Sequence, residues 1–249
     1  MSPTAGRRSV RRAIITGISR GLGAALFDVL NDGRTPLLGI GRTFTDAQHR
    51  TADQSDGLVT LRTTDLSDPD QLPTRAELTA FTAGCAGDDE LLLIHNAATI
   101  GPIGLVGRLD DRQVQDALAT NLLAPALLTN SLLYAAPAAL HTIRILFISS
   151  AAAHRAYAGW ATYCATKAGA EVFMRCIAET APRPCTVEII DPGAMETEMQ
   201  QAIRTLGHGL PGHERLVERH RLGQIGDANI VAQRIASEHL TPPAELLGA

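Results

Sequence analysis

The stretch Arg12-Ala13-Ile14-Ile15-Thr16-Gly17-Ile18-Ser19-Arg20-Gly21-Leu22-Gly23, continued by Ala24-Ala25-Leu26-Phe27-Asp28-Val29-Leu30, decides how the rest of the chain is read. A short apolar run ends at Thr16, glycines stand at 17, 21 and 23, and a strong helix former follows. The order is strand, tight turn, helix. Two motifs share that turn. Gly17-Ile18-Ser19-Arg20-Gly21 fits a G-x-S-x-G nucleophile elbow, with Ser19 as the nucleophile of a serine hydrolase. Thr16-Gly17-x-x-x-Gly21-x-Gly23 fits a turn that lays the backbone against a pyrophosphate at a helix N-terminus, where free N–H groups and the helix dipole attract anions. Three features favour the phosphate turn. It follows the first strand of the chain, its third glycine permits close helix–strand packing, and no Asp then His follows at suitable strand ends. On that reading Gly17, Ser19, Arg20, Gly21, Leu22 and Gly23 line a dinucleotide.

Outward from the turn, strand and helix alternate along the whole chain. Apolar runs at 35–41, 58–63, 90–94, 143–148 and 185–190 read as further strands. Helical stretches are expected at 69–83, 111–133, 159–180 and 227–239. Such alternation implies right-handed strand–helix–strand units and one parallel sheet. The expected fold is α/β: a single-domain, Rossmann-type, doubly wound parallel sheet with helices on both faces. Residues 1–11 read as a basic N-terminal tail, with Arg7, Arg8, Arg11 and Arg12 clustered, and 12–249 as one catalytic domain. The segment at about 196–226 holds Gly207, Gly209, Pro211, Gly212, Gly223 and Gly226 and is expected to form a substrate lid.

The end of the second strand bears on the type of dinucleotide. An NAD site usually ends this strand with an acid for the ribose diol. Here Gly39-Ile40-Gly41-Arg42-Thr43 carries no acid, so Arg42, helped by Arg20, is suited to clamp a 2′-phosphate, and the expected cofactor is NADP(H).

Composition excludes other classes. The 249 residues carry 26 acids against 22 bases, a net charge of −4 that argues against a nucleic-acid partner. No uninterrupted apolar run approaches the roughly 20 residues of a membrane span. Cys85, Cys164, Cys176 and Cys185 have no C-x-x-C spacing and read as reduced, mostly buried thiols of a cytoplasmic protein. The eight histidines form no ligand-spaced cluster, so no metal site is expected. Lys167 is the only lysine; the other 21 basic residues are arginines. It stands four residues after Tyr163, which puts the ammonium and the phenol on one helix face.

Several dispersed motifs together resemble the classical short-chain dehydrogenase/reductase family over about residues 12–240. They are the glycine turn, Asp65-Leu66, His95-Asn96-Ala97-Ala98, Asn121 in Thr120-Asn121-Leu122-Leu123-Ala124-Pro125, Ser150 thirteen residues before Tyr163, and Pro192-Gly193-Ala194-Met195-Glu196-Thr197. Within the family, Asn121-Leu122-Leu123-Ala124-Pro125, Gly159-Trp160-Ala161-Thr162-Tyr163-Cys164 and Glu196-Thr197-Glu198-Met199-Gln200 resemble sepiapterin reductases and bacterial benzil reductases. The resemblance implies that Asp65, Leu66, Asn96, Ala97, Ala98, Pro192, Gly193, Met195 and Thr197 join Tyr163 and Lys167 around the cofactor. It implies a catalytic set of Asn121, Ser150, Tyr163 and Lys167. Four departures stand out. His95 and Ala98 replace the family's usual first Asn and last Gly. Asp191 precedes Pro192. No Asp follows Asp227 to anchor a pterin, and the chain stops at 249, so the last strand is expected to be short or missing.

The implied chemistry is carbonyl reduction, for which a phenol with a pKa near 10 needs help. Lys167 is expected to lower that of Tyr163 by opposite charge, Ser150 to donate to the substrate oxygen, and Asn121 to hold a water beside Lys167. Ile100, Tyr157, Trp160, Met195 and Met199 are the candidate pocket walls, suited to a flat or aromatic carbonyl compound. The expected function is an NADPH-dependent reductase of ketones, with a small-molecule 1,2-dicarbonyl or aromatic ketone as substrate and no nucleic-acid or membrane partner. The rival readings are a non-catalytic NADP-binding regulatory module and the serine hydrolase using Ser19. By family analogy a homodimer or homotetramer is expected, with Phe173, Met174 and Ile177 suited equally to that contact or to core packing.

Overall fold

A computed structural model describes residues 9–181 and 184–240. Arg7 and Arg8 and the last residues, 241–249, lie outside the described residues. The strands are β1 (Arg11–Thr16), β2 (Leu37–Gly41), β3 (Val59–Thr63), β4 (Gly87–His95), β5 (Leu140–Ile148) and β6 (Cys185–Ile190). All pair in parallel, in the order β3-β2-β1-β4-β5-β6. The order reverses beside β1, so a crevice opens between the carboxyl ends of β1 and β4.

The carboxyl halves of the central strands β1, β4 and β5 are largely apolar because both faces of the sheet are covered there, while polar residues such as Arg62 and Glu188 stand on the edge strands. Alternate residues divide cleanly. Ile14, Leu38, Leu91, Leu93, Ile143, Ile145 and Phe147 meet one helical layer, built from α3 (Arg75–Thr82), α5 (Ala124–Ala135) and α6 (Ala161–Thr180). Ala13, Ile15, Leu37, Leu92, Ile94, Leu146 and Ile148 meet the other, built from α1 (Gly21–Leu30) and α9 (Ala228–Ile235). This is the period of two that a pleated strand imposes. Each fully buried Leu, Ile or Phe contributes roughly 1.5–3 kcal/mol of transfer free energy.

Several expectations are corrected. A helix α2 (Asp46–Asp53), closed by a capping box between Thr45 and Gln48, lies where the sequence reading placed none. The expected 69–83 helix is a 3₁₀ turn, Pro69–Gln71, followed by α3 alone, because Pro73 cannot continue a helix and Thr74 caps a new one. The expected 111–133 helix divides into α4 (Asp111–Leu118), a π turn (Ala119–Leu123) and α5. The 111–135 stretch as a whole is long and apolar enough, by length and composition, to cross a membrane. It carries Asp111, Arg112 and Asp116, and α5 packs on α3 and α6. Only Cys85 among the four thiols is buried. Met174 is core, and Phe173 and Ile177 pack against the same core, so these three face inward.

The 196–226 segment is more regular than its glycines suggest. It holds α7 (Glu198–Leu206) and α8 (His213–Arg221). Its ends are tied together: Glu196 N donates to Gly226 O (2.9 Å) and Gly226 N to Ala194 O (2.9 Å). Gly209 and Gly212, at φ +81° and +86°, form the turn between the two helices.

Candidate active site

The carboxyl ends of the strands open into a cleft of about 1570 Å³. The glycine turn, Arg42, Asp65, Asn96, Ala97, Ala98, Ser150, Tyr163, Lys167, Pro192, Gly193, Met195 and Thr197 all line it.

On the turn side the glycines are required by contact. A Cβ on Gly17, whose φ is +76°, would lie 2.7 Å from the Ala97 Cα. One on Gly23 would lie 2.0 Å from the Gly17 carbonyl oxygen and 2.4 Å from the Asn96 Nδ2. Asn96 is the buttress: its Nδ2 donates to the carbonyls of Thr16 and Gly17, both at 3.1 Å. The Thr16 hydroxyl accepts from Asn96 N (3.1 Å) and Ala97 N (3.2 Å). Asn96 therefore shapes the turn from behind. At α1 the N-cap residue, Arg20, makes no side-chain cap, and no acid occupies the first turn. The orphan N–H groups there are left to an anion, so the residues present fit a dinucleotide pyrophosphate. Ser19 Oγ donates to Thr43 O (2.6 Å), and no histidine accepts from it among the described residues. Arg42 is exposed at the end of β2, while Arg20 pairs with Glu198 of α7 across the cleft at 3.1 Å. Asp65 accepts from Ser67 N (2.9 Å) and Ser67 Oγ (2.8 Å), and these bonds hold its carboxyl below the usual range.

On the reaction side, α6 places Tyr163 and Lys167 one turn apart, both buried. The Tyr163 hydroxyl hydrogen-bonds with Ser150. Lys167 Nζ donates to the Ile148 carbonyl (2.6 Å) and stands 4.8 Å from the Phe147 ring centroid. Burial lowers its pKa to about 8, with the Glu171 carboxylate pulling the other way. The expected lowering of Tyr163 is corrected. Burial first, and then the negative charge of Asp191, push its pKa up to about 12, against the Ser150 hydrogen bond. Lys167 Nζ is 5.9 Å from the Tyr163 ring centroid and gives one of its three N–H groups to the Ile148 carbonyl.

Asn121 sits in the π turn, not in a regular helix. Pro125, four residues on, lacks the N–H that an α-helix would aim at the Asn121 carbonyl, and the turn widens there. The side chain clamps Thr99, accepting from its N–H (2.8 Å) and donating to its carbonyl (2.8 Å), and also donates to Thr166 Oγ1 (3.1 Å). In place of the family's usual Asn, His95 is buried and bonds Thr129 Oγ1 through Nε2 at 2.7 Å. Burial, then the nearby Lys167 charge, lowers its pKa to about 3, so it ties β4 to α5 as a neutral ring.

Ile100, Trp160 and Tyr163 form one apolar cluster with Ala152 and Ile203, and Tyr157 and Met199 pack against it. Tyr157 stacks on Trp160 at 4.8 Å, and Trp160 meets Tyr163 edge-on at 6.3 Å. Met195 lines the cleft but packs on the α1 and α9 layer instead. The sequence reading missed Ala202, Ile203 and Leu216, which bring α7 and α8 onto this wall. Their signal is the helical spacing Met199, Ala202, Ile203. It also missed Glu171, one turn beyond Lys167 on the same helix face.

A family model described as short chain dehydrogenase matches residues 11–206. This chain belongs to the short-chain dehydrogenase/reductase family. A Bacillus cereus protein named benzil reductase ((S)-benzoin forming) is 30% identical over 230 residues, covering 91% of this chain and 92% of that one. Bovine sepiapterin reductase is 32% identical over 156 residues, 61% of this chain and 57% of its own. A short-chain dehydrogenase/reductase structure from Burkholderia vietnamiensis superposes with a TM-score of 0.67 at 30% identity, over 97% and 99% of the two chains. As a short-chain dehydrogenase/reductase, the chain is an oxidoreductase of CH–OH and C=O groups, from a family that binds nicotinamide cofactors. That membership, with Ser19 bonded to Thr43, sets the hydrolase reading aside.

Proposed function

We propose that this short-chain dehydrogenase/reductase is an NADPH-dependent reductase of ketones, with 1,2-dicarbonyl or aromatic ketones of benzil or sepiapterin type as its substrates. The observation that carries the reading is the juxtaposition of Ser150 and Tyr163 with a wall of Tyr157 stacked on Trp160. A carbonyl oxygen that meets both hydroxyls leaves its flat substituent against those rings. The names of the Bacillus cereus and bovine relatives support the same substrate class.

NADPH, when bound, supplies the hydride to the carbonyl carbon. The protein's residues manage the oxygen. Ser150 donates to it as charge develops. Tyr163 gives up its phenolic proton and is the general acid; with a pKa near 12 it is fully protonated at working pH. Lys167 would hold the nicotinamide ribose, and Arg42 the 2′-phosphate. The family's oligomers lead us to assign a homodimer or homotetramer, with exposed Leu118, Leu123, Leu127 and Val172 as the apolar positions available to a partner; a monomeric mass by light scattering would remove that assignment.

The test is NADPH consumption with benzil, isatin and a pterin ketone. Turnover with at least one is expected, and Tyr163→Phe should lower kcat about 10²- to 10⁴-fold while leaving NADPH binding intact. Retained activity in Tyr163→Phe would refute the mechanism. No consumption with any of the three would return the regulatory-module reading. Arg42→Asp should shift preference toward NADH; an unchanged preference would refute the NADP assignment.

A further inference from the structure

Behind the reacting groups lies a carboxylate that the proposed mechanism does not use. The Glu171 side chain is 3% exposed. Its Oε1 accepts from Ser149 Oγ at 2.5 Å and lies 3.3 Å from His154 Nε2, and its Oε2 accepts from Arg175 at 2.7 Å. His154 and Arg175 are more than half exposed, so they close the site from the solvent side. Ser149 is the residue before Ser150, and its N–H is bonded to the Ile190 carbonyl at 2.7 Å, one residue before Asp191. Lys167 bonds the carbonyl of Ile148, the residue on the other side of Ser149. One turn of α6 thus grips two successive residues of the strand end that presents Ser150, through Lys167 at Ile148 and through Glu171 at Ser149.

We propose that Glu171 is a positioning residue of the reductase site: it fixes the Ser149–Ser150 strand end and the His154 loop against α6, and it keeps the buried Lys167 charged. The inference rests on the reductase reading for its bearing on turnover. Two features argue against a chance surface pair. A buried carboxylate carries a heavy desolvation penalty unless its oxygens are satisfied, and here both are. The charge also stands beside the chain's only lysine, whose burial favours loss of its proton. The groups facing Lys167 are few. Glu171 and Tyr163 come from its own helix and His95 from β4, whose buried ring is neutral. Asp191, from the loop after β6, acts on Tyr163, while His154 and Arg175 act on Glu171. Among these, Glu171 is the anion that favours the ammonium.

The single lysine makes a direct test possible. Protein grown with ε-¹³C lysine gives one side-chain ε-CH₂ signal, assigned by composition alone. Its pH titration should give a midpoint near about 8 in the wild type. Glu171→Gln should lower the midpoint by about one unit or more, and Arg175→Ala, which removes a cation competing for the same carboxylate, should raise it. Ser149→Ala keeps the charge but frees the strand end, so kcat toward benzil should fall several-fold with the midpoint unmoved. Should Glu171→Gln fail to fold, Glu171→Asp and Arg175→Ala carry the same measurement. Midpoints that coincide in wild type and the charge variants would overturn the inference. The titration needs no substrate: a shifted midpoint in a protein that reduces no ketone would remove the reductase reading alone.

Discussion

Lys167 shows what one side chain does when its surroundings are dry. Its pKa of about 8 lies below the ordinary lysine value because burial disfavours the cation. The sign follows: the ammonium is present below about pH 8 and is lost as pH rises through that value. Tyr163, pushed up to about 12, keeps its proton across the same range. The alkaline limb of kcat/KM, which reports the free enzyme, should therefore fall near pH 8 and be set by Lys167, not by Tyr163. A pH profile flat to pH 10 would contradict this. Arginine stays charged at every accessible pH and is larger. Lys167→Arg should then lower kcat about 100-fold or more and abolish the limb, as steady-state profiles of both proteins would show.

At the scale of elements, the glycine turn is a contact between two strand ends and a helix, and its tolerance is set by atoms 2 Å away. Gly23→Ala must push its Cβ against the Gly17 carbonyl and the Asn96 amide. A loss of about 1–3 kcal/mol is expected, measurable by thermal unfolding, together with a weakened NADPH affinity by fluorescence titration. This turn was legible in the sequence because its constraints are local: strand, three glycines and helix fall within 19 residues, from 12 to 30. The alternation of elements and the six strands of the sheet were legible for the same reason. Element boundaries were less so. Pro73 and Pro125 were each visible, yet reading a break from them requires knowing that the flanking segments are helical. The two helices of the 196–226 segment were not legible because its glycines, which mark the turn between α7 and α8, dominate the local pattern. Ser150, Tyr163 and Lys167, expected together from the family resemblance, do line one cleft, but no local pattern shows what their surroundings do to them. The raised Tyr163 pKa comes from burial and from Asp191, 28 positions away in sequence, and no local pattern announces either. Glu171 stood in plain sight at Lys167 plus four; its partners Ser149 and His154 arrive from the end of β5 and the loop that follows.

Across the whole molecule, α7 and the glycine turn both border the cleft and are joined by Arg20 and Glu198 at 3.1 Å, both largely exposed. An exposed pair of this kind contributes between about 0 and 1 kcal/mol, and added salt weakens it further. Its removal should leave the melting temperature almost unchanged. Binding is a different matter. If Arg20 is to reach a cofactor phosphate, as its place in the turn suggests, it must leave Glu198, so the α7 carboxylate competes with the cofactor for one guanidinium. Glu198→Gln removes the competitor without shortening the side chain. The expected outcome is a tighter NADPH Kd, by up to about fivefold at low ionic strength, which is the factor that about 1 kcal/mol corresponds to. The gain should shrink as salt is raised. Fluorescence titrations of wild type and Glu198→Gln at two salt concentrations decide the point. A Kd that weakens would mean instead that the pair holds the lid over the cofactor, and that closure rather than charge competition governs how firmly this site keeps its dinucleotide.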